Sequence, residues 1–317
     1  KWFSLRRLGL DGIDAGFSNL EKGSFVHRVL EVTHRAMLRE AAGLPAFGAL
    51  ADAFRDPRER LPRSRVNAAT LARATELLDS EFDAHLAHQR MRAHKRSDQA
   101  LVPHVPSQDK QLERLRDDLR STLEFEMTVL EGFEPRFFEM RFGGSSGIAV
   151  DYAGADFVGS IDRIDVDAAG HAIVIDYKHK SRLFYDYALA DGDGLVPGKL
   201  PRHVQALIYA QVVRKHLDKM GLTAAGAIYL GTAGTHELSG AVPDSMIDRV
   251  WGRPLGSRAA RVTAGLTVSE FTELLDKTEE MIAEAIARMA AGDVEARPVD
   301  AAACSWCPVA NCERRLG

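Results

Sequence analysis

The chain has 317 residues, 45% of them hydrophobic and 27% charged, with a formal net charge of −4. That composition is ordinary for a globular protein, allows one elaborated domain or two small ones, and excludes binding nucleic acid as a bulk polycation. No apolar stretch is long enough to cross a bilayer and no secretory signal is visible, which points to the cytoplasm. The first residue is Lys1, so the chain reads as a fragment of a longer protein.

In chain order, residues 1–42 read as largely helical, with a loop around Asp11-Gly12 and a helix from about Lys22 to Arg39. Phe25, Val29, Val32 and Ala36 recur along it at helical spacing. Residues 43–66 are rich in Pro, Gly and Arg and read as a connection. Ala68 to about His94 is a predicted helix of mixed charge, and Ser97–Ser107, with two prolines, a loop. Asp109–Leu130 is a further helix, with Leu112, Leu115, Leu119 and Leu123 on one side. Glu134-Pro135 marks a break, Phe137–Phe142 a strand, and Gly143–Gly147 a turn. Basic patches occur at His85–Arg96, Arg6-Arg7 and Arg314-Arg315, and each alone reads as a solvated face.

Phe157–Asp167 and His171–Lys178 are β-rich runs joined by a short connection ending in Gly170, which predicts a hairpin. Beyond it, Leu189–Pro201 is loop-like, Pro201–Met220 a helix and Ala224–Gly231 a buried strand. Residues 232–266 are mixed. Val268–Met289 is an amphipathic helix with Phe271, Leu274, Leu275, Thr278, Met281, Ile282 and Met289 in phase. There is no internal repeat. The order predicts an α/β fold, a mixed sheet flanked by helices, with a helical insertion at 43–130.

The chemistry concentrates in the hairpin. Asp176 and Lys178 are two residues apart and project to one side of their strand. If Asp162 pairs near Asp176, two carboxylates and an ammonium converge, a set that suits a metal-dependent phosphodiesterase. The competing reading is a solvated strand face, since D-x-K triplets are common. Asp176, however, follows Ile173-Val174-Ile175, and a carboxylate ending a buried strand needs a partner or a metal.

Other residues fit around this pair. His27 lies on the first helix among Val26, Val29 and Leu30, where a neutral imidazole could ligate a metal, although a lone helical His is usually structural. Glu139, in the strand before the hairpin, is either a further acidic group or an exposed strand residue. Gln205 and Tyr209 share one helix face, where they could hold a phosphate or orient Lys178, or be a plain surface pair. Cys304-Ser305-Trp306-Cys307 with Cys312 has ligand spacing for zinc or an iron–sulfur cluster. Disulfide pairing, the alternative, leaves one cysteine over.

Gly23-x-x-x-His27, Gly159-x-x-Asp162-Arg163-Ile164-Asp165, Asp176-Tyr177-Lys178, Gln205-x-x-x-Tyr209 and the terminal cysteines, in this order, resemble the PD-(D/E)xK nuclease superfamily. Within it the chain looks most like the RecB-type group, and there most like the AddB-type C-terminal nuclease domain. The resemblance implies a restriction-endonuclease-like core and a single nuclease domain over 1–317, with a cysteine-bearing staple at 300–317. It implies Mg²⁺ or Mn²⁺ held by His27, Asp162, Asp176 and the main-chain carbonyl of Tyr177. Lys178 would orient the attacking water, and Gln205 and Tyr209 would position phosphate or Lys178. It further implies a 4Fe–4S cluster in the parent protein, held by Cys304, Cys307, Cys312 and one cysteine upstream, and incomplete in this fragment. Single-stranded DNA and an AddA-like helicase subunit are the implied partners, in DNA repair and recombination. The chain has no G-x4-GK[ST] motor motif of its own. The rival readings are a catalytically silent DNA-binding or scaffolding module with this fold, and a zinc- or cluster-stapled interaction domain in which the acids are incidental.

Overall fold

The structure, a computed structural model, describes residues 17–45, 62–92, 106–144, 149–180, 203–252 and 266–293, with 295, 297, 298 and 304. The expected loops at Asp11-Gly12 and Leu189–Pro201, the basic pairs at 6–7 and 314–315, and Cys307 and Cys312 lie outside these residues. The chain divides into two compact units, residues 17–282 and residues 1–16 with 283–317.

Helix α1 spans Asn19–Ala41 and begins three residues before the expected start. The reason is a capping box: Glu21 N donates to Ser18 Oγ (3.2 Å) and Ser18 N donates to Glu21 Oε2 (2.6 Å). Its buried stripe runs through Phe25, Val26, Val29, Leu30, His34 and Met37. Val32 and Ala36, expected in that stripe, are half-buried. Helix α2 (Leu71–Arg92) follows an Asn67 turn, with Asn67 Oδ1 accepting from Ala69 N at 2.9 Å. Helix α3 (Pro106–Glu126) starts on Pro106, within the expected loop, because a proline's fixed φ suits the first helical turn. It ends four residues before Leu130, whose N donates instead to Val250 O (2.9 Å) in the short helix α5, Ile247–Trp251.

The main sheet has the order β1 (Glu134–Phe142), β4 (Gly159–Val166), β5 (His171–Lys178), β6 (Thr223–Gly231), β7 (Leu238–Ala241). Every neighbouring pair is antiparallel except β5–β6. That parallel pair needs a crossover, and α4 (Gln205–His216) lies in it. The break expected at Glu134-Pro135 is instead the start of β1. A proline is tolerated there because β1 is an edge strand and its register shifts between Pro135 and Phe137. A small hairpin, β2 (Asp151–Tyr152) with β3 (Ala155–Asp156), is an element the periodicity does not predict. Its two central residues, Ala153 and Gly154, both have positive φ (56° and 74°), the conformation of a tight two-residue turn.

Helices α1–α3 pack on one face of the sheet, burying Phe25, Phe82, Leu119 and Leu123 against Ile173, Ile175, Ile228 and Leu230. Helix α4 lies against β5 and β6, and Ala206 N donates to Tyr229 Oη at 3.1 Å. Helix α6 (Val268–Ala290) buries Phe271, Leu274, Leu275 and Thr278. It is tied to α4 by Gln211 Nε2, which donates to Asp276 Oδ1 (3.0 Å) and Glu279 Oε2 (2.6 Å). In the second unit Arg297 pairs with Asp293 (2.9 Å) and Glu295 (3.0 Å), and Cys304 is buried. No helix among the described residues is long and apolar enough to cross a membrane.

Candidate metal centre

The β4–β5 hairpin sets the geometry. Its register pairs Arg163 with Ile175, and one step further along places Asp162 opposite Asp176. Asp162 Oδ2 accepts from Tyr177 N at 2.9 Å. Asp176 is fully buried at the end of its apolar run, as the sequence reading requires. The Lys178 ammonium is ion-paired with Asp176, 2.5 Å from its Oδ2. The other Asp176 oxygen, Oδ1, has no hydrogen-bond partner among the described residues. Lys178 Nζ also donates to Gln205 Oε1 (3.0 Å), and Gln205 Nε2 to Tyr209 Oη (2.8 Å). The helical pair therefore meets the hairpin lysine, rather than forming an isolated surface pair.

His27 approaches from α1. Its Nε2 lies 3.0 Å from Tyr177 O and its Nδ1 3.4 Å from Asp162 Oδ2. Both ring nitrogens thus face oxygen acceptors. The environment is less enclosed than its neighbours suggest: Val26, Val29 and Leu30 are fully buried, whereas the His27 side chain is 26% exposed. Glu139 completes a trio with His27 and Asp162, each offering a ligand atom within 4.8 Å of the others. Glu139 holds a left-handed backbone conformation (φ 45°) inside a strand, and Ser160 Oγ donates to its Oε2 at 2.9 Å. A non-glycine residue in that region costs about 1–3 kcal/mol and persists where its surroundings enforce it. From sequence alone Glu139 is equally an acidic ligand or an exposed strand residue. The fold brings it to the centre.

The electrostatics follow from crowding three carboxylates. Burial, and then the charge of Asp162, push Asp176 up to about 6, although Lys178 pulls the other way. Burial and Asp162 likewise raise Glu139. Burial opposes charge on His27, but Asp162, Asp176 and Glu139 outweigh it and raise its pKa. Burial also raises the Tyr209 phenol to about 12, against the pull of its Gln205 hydrogen bond, so it stays a neutral hydrogen-bonding group at neutral pH.

These donors fit a hard divalent cation. Three carboxylates, a main-chain carbonyl and one imidazole make an oxygen-rich set with modest nitrogen content, the preference of Mg²⁺ and Mn²⁺. Asp176 Oδ1, buried and without a hydrogen-bond partner among the described residues, is the orphan such an ion would satisfy. A neutral His27 that donates Nε2–H to Tyr177 O leaves Nδ1 as a ligand atom on the Asp162 side.

Behind the centre lies a network that the sequence reading quoted only as part of a motif. Arg163, 1% exposed, makes a two-pronged pair with Asp165 (2.6 Å for both bonds) and donates to Glu126 Oε1 (2.8 Å) and Tyr177 Oη (3.0 Å). His34 Nε2 is 2.9 Å from Arg163 Nη1 and 3.2 Å from Glu126 Oε2. The usable signal was an arginine inside a buried strand, a charge that requires buried partners. Its consequence is local: Arg163 anchors the side chain of Tyr177, whose backbone N and O touch Asp162 and His27. Gly159 has a packing reason too, since a Cβ there would meet Phe142 Cζ at 2.5 Å.

No curated protein sequence matches the chain. A family model, described as that of the PD-(D/E)XK nuclease superfamily, matches residues 1–312, nearly the whole length. With this match, and an Asp162/Asp176-x-Lys178 hairpin facing a histidine and a further glutamate, the chain belongs to the PD-(D/E)XK nuclease superfamily.

Proposed function

We propose that this chain is a metal-dependent deoxyribonuclease that hydrolyses phosphodiester bonds at the Asp162–Asp176–Lys178 centre. The observation that carries the reading is Asp176, fully buried beside Asp162, ion-paired to Lys178 through one oxygen and with no hydrogen-bond partner among the described residues for the other. His27, Glu139, Asp162, Asp176 and the Tyr177 carbonyl would hold Mg²⁺ or Mn²⁺. When bound, such a cation supplies an acidified water and positive charge for the scissile phosphate.

The residues of the chain do the positioning. Lys178 is held between Asp176 and Gln205, so its ammonium is pre-aimed and can offset negative charge that grows on the phosphate in the transition state. Gln205 is itself fixed by Tyr209, which makes these two residues the brace of Lys178. His27, through Tyr177 O and Asp162, ties α1 to the hairpin, so substrate contacts on α1 are kept in register with the acids.

The finer reading is an exonuclease on single-stranded DNA, most like the AddB-type nuclease domain, working with an AddA-like helicase in repair and recombination. Its supports are the ordered motifs and the absence of a motor motif in this sequence. Residues 1–317 would be one nuclease domain, with 43–130 as its helical insertion and 300–317 as its staple. In the parent protein Cys304, Cys307 and Cys312 would hold a 4Fe–4S cluster with a fourth cysteine, and Cys304 is already buried.

The test is cleavage of end-labelled single- and double-stranded DNA with Mg²⁺, Mn²⁺ or EDTA, beside Asp176→Ala. Metal-dependent cleavage that disappears in the variant is expected. Equal cleavage by the variant, or cleavage in EDTA, would overturn the site assignment. DNA binding with no cleavage under any condition would favour the silent module.

A further inference from the structure

A cavity of about 610 Å³ opens beside the metal centre on the α1–β1 side, lined by Ser24, His27, Arg28, Glu31, Arg35, Glu139 and Arg141. His27 and Glu139 are shared with the metal trio, so the cavity and the centre are continuous. The remaining wall carries three guanidiniums against one carboxylate, Glu31. We infer that Arg28, Arg35 and Arg141 form a phosphate track that holds the DNA backbone next to the scissile bond.

The spacing on α1 builds the track. Arg28, Glu31 and Arg35 sit at i, i+3 and i+7, on one helix face with Ser24 and His27. Glu31 is 8% exposed and pairs with both arginines, at 2.7 Å to Arg28 and 2.9 Å to Arg35. One carboxylate thus orients two guanidiniums and cancels only one charge. Arg35 is further seated by donating to Phe138 O (2.8 Å) and by lying over the Phe138 ring. Arg28, with its side chain half exposed, uses one nitrogen on Glu31 and keeps its other donors for the cavity. Arg141, exposed on β1 two residues after Glu139, has no ion-pair partner among the described residues.

A partly exposed guanidinium group set in a cleft beside an acidic metal centre matches a polyanion that must bring one phosphate to the metal and leave its neighbours outside. Guanidiniums recognise phosphate through paired N–H donors. Contacts to phosphate set register and affinity without reading bases. The cavity is within the size range of ordinary ligand sites, roughly 300–1,000 Å³. The inference rests on the proposed nuclease reading for its ligand, and its test is chosen to separate the two.

The experiment measures binding of a fluorescent single-stranded oligonucleotide by anisotropy, in EDTA so that nothing is cut, across a series of salt concentrations. The proteins are wild type, Arg28→Gln, Arg35→Gln, Arg141→Gln, and Arg73→Gln as a control. Arg73 lies outside the cavity, paired with Glu40. Each cavity variant is expected to weaken binding about fivefold, as for a partly exposed ion pair. Each should also shallow the salt slope by about 0.7, the single-strand value per phosphate. The loss should be the same for unrelated base sequences, and Arg73→Gln should match wild type. Unchanged slopes in the cavity variants, or an equal loss in Arg73→Gln, would overturn the track. If Arg35→Gln fails to fold for want of its Phe138 contact, Arg141→Gln decides alone, because its side chain holds nothing else. Cleavage in Mg²⁺ is scored separately: shallower slopes in a protein that never cuts would leave the track standing and remove the nuclease reading.

Discussion

Replacing Glu126 by Gln tests the buried network that holds Tyr177. Glu126 is 3% exposed and lies between Arg163 Nη1 (2.8 Å) and His34 Nε2 (3.2 Å). Burial alone would raise its pKa, but the charges of Arg163 and then His34 win and lower it from 4.5 to about 2. A depressed carboxylate contributes stability above its unfolded pKa, and that stability is lost as pH falls through the folded one. A gap of about 2.5 units corresponds to roughly 3 kcal/mol. This lies at the low end of the ~3–5 kcal/mol cost of breaking a buried pair, consistent with Arg163 keeping Asp165 in the variant. At pH 7, Glu126→Gln should therefore lose about 3 kcal/mol, or a Tm lower by roughly 6–12 °C. Urea or thermal unfolding from pH 7 to pH 2 is the assay. The gap between variant and wild type should hold down to about pH 5, close between pH 4.5 and 2, and be small at the bottom. A gap that stays constant across that range would refute the reasoning, because the glutamine would then act through packing and not through charge.

Lys178→Ala should lower the cleavage rate by about 10²–10³, the size of a lost transition-state charge contact, with oligonucleotide affinity within a few-fold of wild type. Equal loss of both would remove its catalytic role. Asp162→Asn should weaken Mn²⁺ binding in calorimetry, and unchanged affinity would take it out of the ligand set. For wild type the affinity for Mn²⁺ should rise with pH up to and through about 6, because the ion competes with the proton that burial and Asp162 hold on Asp176. An affinity flat from pH 5 to 7 would contradict that coupling. Gly159→Ala should destabilise the fold by about 1–3 kcal/mol through overpacking on Phe142, and a neutral result in urea unfolding would show that the ring can retreat.

Much of the site was legible in the sequence, for reasons that can be named. Asp176 and Lys178 share a face because strand side chains alternate, and Gln205 and Tyr209 share one because helical residues four apart do. Glu139 and Arg163 were less legible. Glu139 reaches the trio through a left-handed backbone that no residue type at that position announces. Arg163 needs Glu126 and His34, which are 37 and 129 residues away. The element ends shifted where capping or a tertiary hydrogen bond decided them, as at Ser18 and Leu130.

By itself the sequence determined what depends on local spacing: the hairpin, the helices with their buried stripes, and which acids, lysine and amide face the same way. The tertiary structure alone decided how those faces meet. It set Lys178 against Gln205 across the β5–α4 crossover, laid His27 over Tyr177 and Asp162, and gathered Arg28, Arg35 and Arg141 around one cavity. The physical reason is that contacts between distant segments are fixed by the packing of whole helices on the sheet. Periodicity along the chain reports which side of an element is buried, and says nothing of what lies across from it.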